Sequence, residues 1–153
     1  MKSAWRLLVF FIVFFINAKV GADPVLTDQL LIENIAIRGI VFDILQDSRG
    51  FLWLGTEFGL VRYDGHEYVY FEHEPGNPHS LAGNVVKRIV ETPEGILWIG
   101  TMNSGIHRFD PRTRKFKRFL HDPTDPNTIA NNRINDLCLD NSGNLWIGTD
   151  GSG

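Results

Sequence analysis

Gly50-Phe51-Leu52-Trp53-Leu54-Gly55-Thr56 returns as Gly95-Ile96-Leu97-Trp98-Ile99-Gly100-Thr101 and again as Gly143-Asn144-Leu145-Trp146-Ile147-Gly148-Thr149. The three tryptophans lie 45 and then 48 residues apart. A self-similar period of that length belongs to β-propeller blades, each a four-stranded antiparallel sheet. The repetition runs well beyond the tryptophan phrase. Phe71 to Gly105 lies over Phe119 to Gly153 without a gap, with about 14 of the 35 positions identical. Among these are His73 and His121, Pro75 and Pro123, Pro78 and Pro126, Ala82 and Ala130, and Asn84 and Asn132.

Length differences between the first two copies fall at connections. Thr56–Gly59 becomes Thr101–Gly105, one residue longer, and Asp64–Tyr68 becomes Asp110–Phe116, two residues longer. Surface turns accept such changes and strand interiors do not. The expected fold class is all-β, with propeller blades in an incomplete ring. The expected organisation is a signal peptide over 1–22 and a linker over 23–39, with a ring-closing strand near Gln29–Ile32. Blade repeats follow over 40–84 and 85–132, then a partial repeat over 133–153. Gly153 falls on the position of Gly105, just before the strand Ile106–Asp110 of the second copy. The expectation is therefore an N-terminal piece of a longer protein, since a ring needs roughly 4–8 blades.

Lys2 and Arg6 flank an apolar run from Leu7 to Ile16, and Val20 and Ala22 stand where a signal peptidase reads. That pattern predicts export, with cleavage before Asp23. The competing reading is an uncleaved membrane anchor, but the run is short against the ~20 residues a spanning helix needs. Loss of Lys2, Arg6 and Lys19 leaves 12 basic against 18 acidic side chains, a formal charge of −6. Such a surface argues against nucleic acid or an anionic membrane as the partner. Cys138 is the sole cysteine and lies in the alternating apolar stretch Ile134–Leu139. It cannot form an internal disulfide, and the expectation is a buried thiol, with an intermolecular bridge as the alternative.

Within a repeat, Val41–Leu45 reads as the strand nearest the axis, Asp47-Ser48-Arg49-Gly50 as a tight turn, and Leu52–Thr56, Leu60–Asp64 and Tyr68–Phe71 as the remaining strands. Trp53, Trp98 and Trp146 are expected to fill the gaps between sheets, with Gly55, Gly100 and Gly148 leaving room for a neighbouring backbone. The alternative for the tryptophans is stacking on sugar rings, which recurrence in every copy disfavours. His73–Asn84 and His121–Asn132 read as long connectors between blades, with the two histidines stabilising the turns. Connectors cross one face together with the loops between second and third strands, Glu57-Phe58 and Met102-Asn103-Ser104. That is where ligands usually bind. Glu57, Phe58, His79, Asn103 and Asn127 are the positional candidates for ligand contact.

The other signatures of chemistry are missing. The five histidines show no metal-ligand spacing, and neither His-Glu-x-x-His nor Cys-x-x-Cys occurs. No calcium loop, phosphate loop or Gly-x-Ser-x-Gly nucleophile stands in the chain. No metal, cofactor or catalytic residue is expected. The basic cluster Arg112, Arg114, Lys115, Lys117 and Arg118 reads as a charged outer edge that resists strand addition.

The stretch Asp47 to Asp64, with Gly59-Leu60-Val61-Arg62-Tyr63-Asp64 at its end, resembles the two-component regulator propeller repeats. The second copy departs mildly, with Pro93-Glu94 in the turn and Ile106 for leucine. The resemblance covers about residues 40 to 153. It implies a periplasmic sensor region of a bacterial membrane receptor, a hybrid histidine kinase or a diguanylate cyclase. Such a receptor is attached to the inner membrane by a later transmembrane segment. It implies a small-molecule or oligosaccharide ligand, a homodimeric receptor and no catalysis by the repeats themselves. The alternatives are a secreted propeller enzyme acting on polysaccharide and a secreted scaffold or adhesion propeller.

Overall fold

Apolar residues alternate about each tryptophan, and in the computed structural model those stretches are the second strands of successive antiparallel sheets. It describes residues 37–151 together with the backbone of Phe10–Phe14 and Leu31–Ile35. Those two short stretches, β1 (Phe10–Phe14) and β2 (Leu31–Ile35), pair antiparallel with each other, Phe10 opposite Ile35 and Phe14 opposite Leu31. Apart from these stretches and residues 37–39, the expected signal peptide and linker lie outside the described residues. Of the stretch proposed to close a ring, Gln29 and Leu30 lie outside them too, while Leu31 and Ile32 are partnered by Phe14 and Val13. No helix among the described residues is long and apolar enough to cross a membrane.

The repeats form sheets in sequence order. β3 (Val41–Gln46), β4 (Leu52–Thr56), β5 (Gly59–Tyr63) and β6 (Tyr68–Phe71) make the first blade. β7 (Val86–Glu91), β8 (Leu97–Thr101), β9 (Ile106–Asp110) and β10 (Lys115–Phe119) make the second. β11 (Ile134–Leu139) and β12 (Leu145–Thr149) form a two-stranded sheet at the corresponding place in the third repeat. All three sheets are open. Each first strand carries the same register shift against its neighbour, between Val41 and Asp43, Val86 and Arg88, and Ile134 and Asp136. A bulge at this place bends the strand and strengthens its twist. Adjacent blades approach most closely at these first strands, β3 on β7 and β7 on β11, which marks the inner side.

The apolar faces meet between blades. Trp53 is fully buried, in a cluster with Leu60 of its own blade and Val86, Ile89, Leu97, Ile99, Phe109 and Phe116 of the next. Its ring meets Phe109 edge-on, with centroids 5.6 Å apart. Trp98 lies in the next gap against Phe119, at 5.3 Å, and beside Ile134 and Leu137 of β11. Trp146 is 64% exposed. The three tryptophans occupy one position in one motif, so their burial follows what packs on the sheet and not the residue. Cys138 corrects an expectation for the same reason. It is exposed, not buried, and sits opposite Trp146 on the strand pair. Its counterparts Leu45 and Val90 pack into the two filled gaps.

Each turn before the tryptophan is built around its first side chain. Asp47 Oδ1 accepts from the amides of Arg49 and Phe51, at 3.0 and 2.9 Å, and its Oδ2 accepts from the Trp53 indole at 2.8 Å. Asp140 repeats this with the amides of Ser142 and Asn144 and, at 2.9 Å, the Trp146 indole. Burial pushes the Asp47 carboxyl up, but the bonds from Trp53, Phe51 and Arg49 hold it below the usual carboxylate range. The Asn144 side chain, the Trp146 indole and the turn amides hold Asp140 down to about 2. The second turn has Thr92 instead, whose Oγ1 lies 3.4 Å from the Ile96 amide and offers the Trp98 indole no carboxylate. Thr92→Asp should therefore stabilise the second blade by about 1 kcal/mol, the net worth of a recovered hydrogen bond. Urea unfolding of the paired proteins checks this, and an unchanged or lower midpoint refutes it.

Candidate ligand face

The loops between second and third strands are held by the threonine that ends each tryptophan phrase. Thr56 Oγ1 donates to the Gly59 carbonyl at 2.9 Å and accepts from the Phe58 amide at 3.1 Å. Thr101 does the same with Gly105 and Ser104, at 2.8 and 2.9 Å. Both threonines are buried. The loops are then tied to the residue that leads into each first strand. The Glu57 amide donates to the Ile40 carbonyl, Met102 to Val85 and Asp150 to Arg133, at 2.9 to 3.1 Å. Glu57, Phe58 and Asn103 thus stand on the inner part of the face. The Glu57 carboxylate accepts the Ile40 amide at 3.2 Å, while in the third copy Asp150 pairs with Arg133 at 3.1 Å. Asn103 is exposed.

The connectors share one internal network. Asn84 Oδ1 accepts from the His73 amide at 2.6 Å, and the His73 ring donates from Nδ1 to the Leu81 carbonyl at 2.7 Å. Asn132 and His121 repeat both contacts, with Ile129 in place of Leu81, at 2.7 and 2.8 Å. Recurrence of the two histidines is thus accounted for by turn geometry, as the sequence suggested. His79 and Asn127 lie elsewhere. The His79 carbonyl accepts from the Phe116 amide on β10, the outer strand of the second blade, at 3.0 Å. Asn127 occupies the equivalent tip and bonds back to Asp125. The five candidates therefore divide into Glu57, Phe58 and Asn103 on the inner side and His79 and Asn127 at the connector tips.

Two groups of residues escaped the sequence reading. Asp43, Arg88 and Asp136 occupy one position on the three first strands, which read as apolar. Asp43 Oδ2 accepts from the Ile89 amide of the next blade at 2.7 Å, and Arg88 Nε donates to Asp136 of its next blade at 2.9 Å. Their common period of 45 and 48 residues was the available signal, hidden because the charge changes sign. Arg118 is the second case and departs from the charged-edge reading. Its guanidinium turns onto the connector and donates to the carbonyls of Asn77, Ser80 and Leu81 at 2.7 to 3.0 Å. Arg112, Arg114, Lys115 and Lys117 remain exposed.

The end opposite this face carries the turns. There Glu91 accepts both the amide and the hydroxyl of Ser48, each at 2.8 Å, latching the first blade to the second. At the next junction Pro93 and Leu139 take those places, and a cleft of about 490 Å³ opens between them. Among the described residues, no three His, Cys, Asp or Glu side chains gather as metal ligands.

Residues 37–58 match the two component regulator propeller model, and residues 77–153, half of the chain, match the SMP-30/Gluconolactonase/LRE-like region. The extracellular domain of the hybrid two component system BT3049 from B. thetaiotaomicron is 28% identical over 70% of this chain, with a TM-score of 0.63. The chain belongs to the two-component regulator propeller family. By the longer match, its second half also belongs to the SMP-30/gluconolactonase/LRE-like propellers, a family with some enzymes. The extracellular domain of the hybrid two component system BT4673 from B. thetaiotaomicron is 26% identical over 86% of the chain, with a TM-score of 0.62. The present propeller region spans only 15% and 16% of the length of those two structures. The comparison with curated proteins gave no match.

Proposed function

We propose that this region is the ligand-sensing part of a bacterial receptor's periplasmic input domain. The receptor is anchored in the inner membrane and passes the signal to a histidine kinase or diguanylate cyclase output. The observation that supports this most is the likeness to extracellular domains of two-component systems over most of the chain. Export, read from the apolar leader, agrees with that location. The proposed ligand is a small molecule or oligosaccharide held on the connector face, with Glu57, Phe58 and Asn103 lining its inner part. The repeats bind and do no chemistry. Binding shifts the receptor only if the ligand prefers one of its two states. The first strands are the means, because Asp43 and Arg88 couple each blade to the next across them. The full-length receptor acts as a homodimer.

Calorimetric titration of the complete exported region against a panel of oligosaccharides tests the reading. A saccharide that binds, and whose affinity falls about tenfold in Asn103→Ala, the loss of one or two hydrogen bonds, supports it. Binding that is indifferent to both Asn103→Ala and Glu57→Ala refutes the site. The SMP-30/gluconolactonase match favours a second reading, a propeller enzyme. Turnover of a sugar lactone or a polysaccharide by the same protein would favour that reading over the sensor.

A further inference from the structure

His107 is fully buried at the joint between the first connector and the second blade. On β9 it stands directly across from Ile99 of β8 and from Arg118 of β10. The Ala82 amide of the connector donates to His107 Nε2 at 2.9 Å. A nitrogen that accepts a backbone N–H carries no proton, so the ring is neutral and its proton sits on Nδ1. Nδ1 is buried and has no hydrogen-bond partner. The Phe116 ring lies edge-on to the imidazole at 6.2 Å. In the first blade the same two positions hold Val61 and Tyr70. The first blade is thus built without a histidine–arginine pair at this place.

We infer that His107 is an acid-sensitive catch, holding the connector 72–84 on the second blade while its ring is neutral and releasing it when the ring takes up a proton. Protonation would set one N–H against another at Ala82 and bury a cation. The charged group facing the ring is Arg118, directly across on β10, and it repels that cation. Arg118 is held in place by the carbonyls of Asn77, Ser80 and Leu81 and by Ser80 Oγ. Glu72, His73, Glu74 and His79, the titratable side chains of this connector, are exposed, with His73 Nδ1 turned to the Leu81 carbonyl, and β8 presents Ile99. No group on these elements is placed to stabilise the charged ring. Burial and then Arg118 hold the imidazole down to about 4 from its ordinary 6.5. The carboxyls of Asp47 and Asp140 lie below the usual range and lose their turn bonds at lower pH. Release would reach the ligand face, because Gly83 lies against the side chain of Ser104, next to Asn103. The catch does not depend on any ligand being bound.

Hydrogen exchange of the full-length protein tests it. A neutral-only site binds its proton in the open form, so protection of the Ala82 amide should fall about 30-fold between pH 7.5 and pH 5, after correction for intrinsic exchange. His107→Gln keeps an acceptor and cannot titrate, so its protection should change less than about threefold. Unchanged protection in the wild type, or an equal fall in the glutamine variant, overturns the proposal. If the glutamine variant does not fold, titration of the wild-type imidazole by NMR decides the matter. A midpoint well below 6.5 supports the catch, and an ordinary midpoint removes it.

Discussion

Trp53→Ala is expected to lower the stability of the first two blades by about 3–5 kcal/mol, the usual cost of deleting a buried large aromatic. The indole is fully buried between two sheets, and its edge-on contact with Phe109 and tilted contact with Phe71 are lost together. The change also leaves Asp47 Oδ2 without its 2.8 Å donor, in a side chain that is itself buried. Trp53→Phe separates the two effects. It keeps most of the apolar area and removes only the indole N–H, so it should cost about 1–3 kcal/mol, the penalty for one unmet buried group. Urea unfolding of the full-length protein, with hydrogen exchange to localise the loss, measures both. A cost below about 1 kcal/mol for the alanine variant would mean that the tryptophan is not what joins these sheets.

Gly55→Ala and Gly100→Ala should each cost about 1–3 kcal/mol, the range seen when atoms are forced into a packed interior. A Cβ on Gly55 would stand 2.9 Å from Val86 Cγ1 and 3.0 Å from the Val86 carbonyl oxygen. The second of these is backbone and can move only with its strand. On Gly100 it would stand 2.6 Å from Ile134 Cγ2 and 3.2 Å from Ile134 Cβ. Isoleucine branches at Cβ and has little rotameric freedom to retreat, and Ile134 is fully buried. Gly148 meets nothing nearer than 3.7 Å among the described residues. A double variant, Gly100→Ala with Ile134→Ala, should be less destabilised than the sum of its parts, because the clash is shared. Strict additivity would show that the glycine is not there to admit the next blade.

The repeat was legible because a blade must satisfy the same local demands each time it occurs. A turn needs Asp47 or Asp140 to hold its amides, an interblade gap needs a wide ring, and a close approach needs Gly55 or Gly100. Strand ends were less legible. β5 spans Gly59–Tyr63, one residue earlier than the Leu60–Asp64 that the apolar pattern marks, since strand ends follow the hydrogen-bond register with the neighbouring strand and not which side chains are apolar. The ligand candidates were only half legible. Position in the repeat puts Glu57, Phe58, His79, Asn103 and Asn127 in loops that cross one face. It does not say that the chain reaches His79 along the outer strand of the next blade.

Sequence alone determined the all-β architecture, the turn chemistry of Asp47 and Asp140, and the structural part played by His73 and His121. These follow from contacts between residues close in sequence, or from a period that repeats them. Tertiary structure decided the rest. It exposed Cys138, placed His107 under Ala82, turned Arg118 from a surface charge into a clamp, and joined Asp43 to Ile89 and Arg88 to Asp136. Each of these depends on which sheet lies against which, at separations of 25 to 48 residues for the hydrogen bonds concerned. A side chain's burial and partners are set by the surface that packs on it, and one repeat carries no record of that surface.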